Sequence, residues 1–239
     1  MALTTSGTYK DFDIMEIIQE AHDICGLEAR AHYDLEKARR GLNLLLQEWN
    51  NKQVNLWRMN EATLALTSGN ATYTLNYPVI DILDGVIRNS DNLDLPVSRI
   101  SREEYLNRTD KSATGRPVHF AVERDADILT LKFWPTPDAS YTFVYFGINA
   151  IQEIGAFTNN PDMPRRFVPS LTYGLAYNLA LKNPPKFEST PQGGRILTEG
   201  VDPATRQEIY QQYTRAFQEA RDEDRDRAPF KVTPYLARV

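Results

Sequence analysis

The sequence predicts an α+β fold: a helical bundle formed by the N- and C-terminal helices, with an inserted antiparallel β domain and an extended C-terminal arm. Three observations lead there. Apolar residues recur at spacings of three and four up to about Asn51. Short runs rich in β-branched and aromatic residues then take over, as far as about Ile148. Helical spacing returns near Pro164. The expected organisation is residues 1–54 for the N-terminal helices, 55–160 for the inserted β domain, 161–227 for the C-terminal helices with a long loop at 184–200, and 228–239 for the arm.

The first helix is expected from Asp13 to about Cys25. Ile14, Ile17, Ile18 and Ala21 share one face, Asp13 and Glu16 have the spacing of a capping box, and Gly26 is placed to stop the helix. A second, stronger helix spans 33–51. Leu35, Ala38, Leu42, Leu45, Leu46 and Trp49 form its apolar stripe, and Glu36, Lys37, Arg39, Arg40, Asn43 and Gln47 its polar face.

Strands are expected at 56–59, 62–67, 71–75 and 79–88, then a brief helix begun by Ser101 with Glu104. Three more strands, 118–124, 128–134 and 141–148, read as a meander forming one small antiparallel sheet, with a hairpin turn at 125–127 and the PTPD connection at 135–138.

Phe167, Leu171, Leu175 and Leu179 repeat every fourth residue before the stop at Asn183, Pro184 and Pro185. Pro169 marks either the start of this helix or a bend in it. Residues 184–200, rich in Pro, Gly, Ser and Thr, read as an exposed loop. The last helix starts at Asp202 and Pro203 and buries Ile209, Tyr213, Ala216, Phe217 and Ala220. Its charged end, 219–227, reads as solvated surface in which Glu223 and Arg227 form a favourable i,i+4 pair, the alternative being a subunit or lumen surface.

Composition narrows the function classes. The chain has 239 residues, 41% of them hydrophobic and 25% charged, enough to fold around a sizeable core. With 27 basic and 32 acidic residues the net charge is −5, which argues against general attraction to nucleic acid or an anionic membrane. A single cysteine, Cys25, excludes an intrachain disulfide and a zinc site built on paired cysteines, and suits a reducing compartment. No secretory signal and no membrane span are expected.

His22, Cys25 and His32 could face one metal, but a packed thiol and surface imidazoles are preferred because the spacing matches no known ligand set. Gly193 and Gly194 lack the pattern of a phosphate-binding loop, and no nucleophile elbow is present. A carboxylate pair remains open, since 32 acidic residues offer many combinations that only geometry could sort. Trp49, Trp57 and Trp134 read as core residues. No catalytic residue, cofactor or metal is expected.

Several segments carry a resemblance. ARRGLNLLLQEWNNKQVNLW at 38–57 is followed in order by ATYTL with VIDILDGVIR, RISREEYLN with TGRPVHF, LTLKFWPTPDASYTFVYF, MPRRFVPSLTYGLAYNLALK and the closing EDRDR. In this order they resemble the podovirus head-to-tail adaptors, also called tail tubular protein A or connector proteins. The resemblance covers 38–182 well and the last helix more loosely, and the GGRILTEG segment departs from the shorter connection of the family.

It implies a structural virion protein and not an enzyme. Such a protein forms a dodecameric ring of its own copies beneath the portal protein, passes genome DNA non-specifically through its lumen and offers its far face to the tail nozzle protein. It resides in the tail or neck of the virion, and in the host cytoplasm during assembly. The alternatives are a tail-associated peptidoglycan hydrolase and a DNA-binding regulator, the latter weakened by the net charge.

The carboxyl end is expected to be a portal-binding arm. Pro229 and Pro234 favour extended chain, which at roughly 3.3 Å per residue spans on the order of 40 Å. Phe230, Tyr235 and Leu236 would supply apolar anchors, and Arg227, Lys231 and Arg238 would favour an acidic groove.

Overall fold

In the computed structural model, which describes residues 12–28, 32–52, 56–125, 128–189 and 195–224, the chain divides into two units. The first is drawn from Met1–Leu45 and Gly155–Val239, the second from Leu46–Ile154. The helices are α1 (Ile14–Cys25), α2 (His32–Asn50), α3 (Arg102–Leu106), α4 (Val168–Lys182) and α5 (Pro203–Glu223). The strands are β1 (Met59–Leu66), β2 (Thr72–Asn76), β3 (Val79–Arg88), β4 (Asp94–Pro96), β5 (Ser98–Ile100), β6 (His119–Arg124), β7 (Ile128–Trp134), β8 (Tyr141–Asn149), β9 (Lys186–Ser189) and β10 (Arg195–Glu199). The α+β class is as the sequence predicts.

In the first unit α1 begins where the Asp13 carboxylate accepts the Glu16 amide at 2.7 Å and the Glu16 carboxylate accepts the Asp13 amide at 3.3 Å. Gly26, at φ 64°, ends it in the left-handed region. Its expected stripe is buried, together with His22 and Cys25.

Helix α4 is buried on more than one face, through Leu171, Leu175, Ala176, Leu179 and Ala180 together with Ser170 and Thr172, as suits a helix central to a bundle. The two hydroxyls are satisfied locally, by the Phe167 carbonyl at 2.8 Å and the Val168 carbonyl at 3.0 Å. A Cβ added at Gly174 would lie 2.6 Å from Leu45 Cδ2 and 3.0 Å from Tyr213 Cε2, so glycine lets α2, α4 and α5 approach closely. Pro169 sits in the first turn of α4, so the helix starts there, after a 3-10 turn at Arg165–Phe167.

Helix α5 is capped by Asp202, whose carboxylate accepts the Ala204 amide at 2.9 Å, and buries Ile209, Tyr213, Phe217 and Ala220. Ala216 is only partly buried. At its far end Asp224 pairs with Arg166, tying it to the turn that precedes α4.

The expected loop at 184–200 is instead a two-stranded hairpin, β9 with β10. Phe187 pairs across it with Leu197, and the Lys186 ammonium lies 2.5 Å from the Glu199 carboxylate. Gly200, at φ 85°, returns the chain so that the Val201 amide donates to the Asn183 carbonyl at 3.0 Å. Prolines before the hairpin and glycines inside it mask its short strands in the sequence.

The second unit contains two four-stranded sheets, ordered β1-β8-β3-β4 and β2-β7-β6-β5. They share one core of Leu66, Ile82, Ile87, Val97, Phe120, Leu129, Leu131, Phe133, Phe143 and Tyr145. The single meander expected from the sequence is corrected here. β6 and β7 form a hairpin, but β8 leaves them and lies between β1 and β3. The PTPD connection is longer than a tight turn and lets the chain change sheets. Strands β4 and β5 are too short to show in the sequence pattern, and β5 pairs with β6 in parallel. Helix α3 has the expected box, with Ser101 Oγ accepting the Glu104 amide at 3.1 Å.

The strand expected at 56–59 is also corrected, to a 3-10 turn at Leu56–Arg58 that leads into β1. The turn buries the Arg58 guanidinium, which donates from Nη1 to Asn50 Oδ1 at 2.8 Å. The same oxygen accepts the Ile151 amide at 3.0 Å. Arg58 Nε has no partner among the described residues, and burial lowers the pKa of the group. Among the described residues Asn50 is thus an acceptor that helps make a buried cation tolerable. Asn50→Leu is expected to cost about 2–3 kcal/mol in urea unfolding, because a donor on a charged group is stranded. Asn50→Asp, which keeps the acceptor, should retain most of that.

Candidate functional site

The expected portal-binding residues, Arg227, Phe230, Lys231, Tyr235, Leu236 and Arg238, lie outside the described residues, as do Gly193 and Gly194. Cys25 is packed as expected, but His22 is buried on α1 as well and is not the surface imidazole that was expected; the two side chains have different backbone partners. His22 Nδ1 lies 2.8 Å from the Ile18 carbonyl, and the Cys25 thiol donates to the Ala176 carbonyl at 3.1 Å. Burial pushes the Cys25 thiol up to about 11, so it stays protonated and weakly nucleophilic at neutral pH. Among the described residues no group of three or more His, Cys, Asp or Glu side chains could hold a metal ion.

Of the tryptophans, Trp49 is fully buried and Trp57 and Trp134 are partly buried. The Trp134 indole donates to the Asp110 carbonyl at 2.7 Å, the Arg108 guanidinium lies 4.6 Å from a Trp134 ring centroid, and His119 stacks on Trp134 at 5.8 Å. Burial, then the Arg108 charge, lowers the His119 pKa against a smaller opposing effect of Glu104. Asp81 on β3 pairs with Arg99 of β5 at 3.1 Å and with Arg124 of β6, an ionic clasp between the two sheets of the second unit. Glu219, at the charged end of α5, pairs with Arg215 at 2.9 Å on the surface.

In the first unit the exposed side chains form a more distinctive surface. Lys182, at the end of α4, reaches over α2: its Nζ lies 3.5 Å from the Lys37 carbonyl and would be 3.3 Å from a Cβ at Gly41. Burial, then the nearby Arg40 and Lys37 charges, lowers its pKa. Arg40 is exposed and donates from Nε to the Glu36 carbonyl at 3.4 Å, with no carboxylate partner among the described residues. Leu44, one turn beyond Gly41, is 62% exposed, and Leu181, beside Lys182, is 48% exposed. Phe187 and Leu197 of the hairpin are exposed as a cross-strand pair.

Helix α1 offers the opposite character. Its outward Glu20 and Asp23 are exposed and make no ion pair among the described residues, and Phe12 before its cap is exposed as well. Arg40 and Lys182 on the one side and Glu20 and Asp23 on the other are thus exposed charges without an ion-pair partner among the described residues.

The sequence did not single these residues out. Leu44 does carry a signal, since it falls off the stripe of Leu42, Leu45, Leu46 and Trp49, and Leu181 falls off the repeat ending at Leu179. A leucine on the polar side of an amphipathic helix is the mark to look for.

No curated protein matches the sequence. The SU10 adaptor protein family model matches residues 11–234, nearly the whole chain and both structural units. The chain therefore belongs to the SU10 adaptor protein family and is a phage structural adaptor protein.

Proposed function

We propose that the chain is a head-to-tail adaptor of a podovirus-type virion, twelve copies of which close into a ring between the portal protein and the tail nozzle protein. The observation that carries this reading is the family match over residues 11–234. A net charge of −5 suits a ring through which genome DNA must slide, since dense cationic contacts to phosphate would hold it. Exposed apolar side chains beside charged ones in the first unit suit a protein whose role is assembly. The basic carboxyl arm, with Arg227, Phe230, Lys231, Tyr235, Leu236 and Arg238, is the element we assign to the portal. The chain acts in the neck of the virion and is assembled in the host cytoplasm.

Particles produced without the chain are expected to contain packaged heads that lack tails and leak DNA. Electron microscopy and infectivity counts measure this directly. Tailed, infectious particles made in its absence would contradict the assignment.

A further inference from the structure

We propose that neighbouring copies of the chain meet head to tail through their first units, the acidic outward ridge of α1 on one copy seating on the basic and apolar patch of α2 and α4 on the next. This rests on the ring reading above and names the surfaces that close the ring.

The two surfaces differ in sign and lie on different helices. The patch comprises Arg40, Lys182 and Leu44, with the Lys37 backbone held under the Lys182 ammonium at 3.5 Å. The ridge comprises Glu20 and Asp23, with Phe12 exposed before the same helix. Neither Arg40 nor Lys182 has a carboxylate, and neither Glu20 nor Asp23 has a cation, among the described residues. Each surface therefore supplies what the other lacks, and the patch carries the exposed Leu44 beside its charges. A contact between two different faces of one protein is heterologous, and such contacts generate rings when the rotation closes. Because the charges stand at the surface, the contact should set register and partner choice and weaken as salt rises.

The test uses full-length protein on purified portal particles, with copies per portal counted by electron microscopy over a titration. R40E/K182E reverses the patch, E20K/D23K reverses the ridge, and a third variant combines all four changes. These side chains are exposed, so thermal unfolding should stay near that of the wild type. Glu20→Gln with Asp23→Asn serves if a reversal fails to fold. Each reversal alone is expected to raise the concentration for half-filled rings at least tenfold, and the combined variant to return most of that loss.

E20K/D23K also reduces the net negative charge, so general repulsion between copies would make it assemble better, opposite to the result expected. If wild-type protein forms rings and both reversals form them equally well, the proposal is overturned while the ring reading stands. Loss in the single reversals without recovery in the combined variant overturns it too, and assigns the patch to a partner other than a second copy. If wild-type protein forms no rings on portal, the ring reading and this proposal fall together.

Discussion

Phe143→Ala is expected to destabilise the second unit by about 3–5 kcal/mol. Phe143 is fully buried on β8, the strand that runs between β1 and β3. Its ring centroid lies 5.1 Å from Phe133, 5.2 Å from Phe120 and 5.4 Å from Tyr145, so it joins side chains from both sheets. The backbone opposite is fitted to it as well. A Cβ added at Gly85 would lie 2.5 Å from the ring, which is why β3 carries glycine where it passes this side chain. Truncation therefore leaves a cavity that the neighbouring strands cannot close without breaking the β3–β8 ladder. Urea unfolding followed by tryptophan fluorescence measures the loss. A cost under about 1 kcal/mol would mean that the two sheets do not share this core.

The second large effect is expected at Gly200. Its φ of 85° is costly for any residue with a Cβ, and that Cβ would stand 2.1 Å from the Pro184 carbonyl oxygen. Backbone cannot step aside as a flexible side chain can. Gly200→Val should cost on the order of 3 kcal/mol, from left-handed strain plus steric overlap. The damage is local, because the Val201 to Asn183 hydrogen bond that closes the base of the β9–β10 hairpin must open to relieve the clash. Hydrogen exchange should show lost protection in β9 and β10 while β3 and β8 keep theirs. Unchanged protection across the hairpin would show that the turn tolerates a side chain.

These two sites also separate what could be read in the sequence from what could not. Signals that act over a few residues were legible. The capping boxes at Asp13 with Glu16 and at Ser101 with Glu104 form as their spacing implies, and β3 and β7 occupy 79–88 and 128–134 as expected. Pairing across long stretches of chain was not. β8 could have continued the β6–β7 meander on hydrophobic pattern alone, and only the shared core around Phe143 sends it between β1 and β3. Alternation tells which side chains face inward but not which strand lies beside which.

The hairpin at 186–199 was hidden for a different reason. Its strands are short and largely solvent-facing, so no apolar alternation marks them. The surface of the first unit was half legible. Lys37 and Arg40 are plain in the polar face of α2, but only the fold brings Lys182 over Gly41 to join them.

Cryo-electron microscopy of purified portal mixed with this protein tests the adaptor role directly. A second ring of twelve copies is expected, stacked coaxially on the tail-facing side of the portal, with an open lumen along the shared axis. Portal particles that stay bare at saturating protein, or that bind isolated copies without closing a ring, would contradict it.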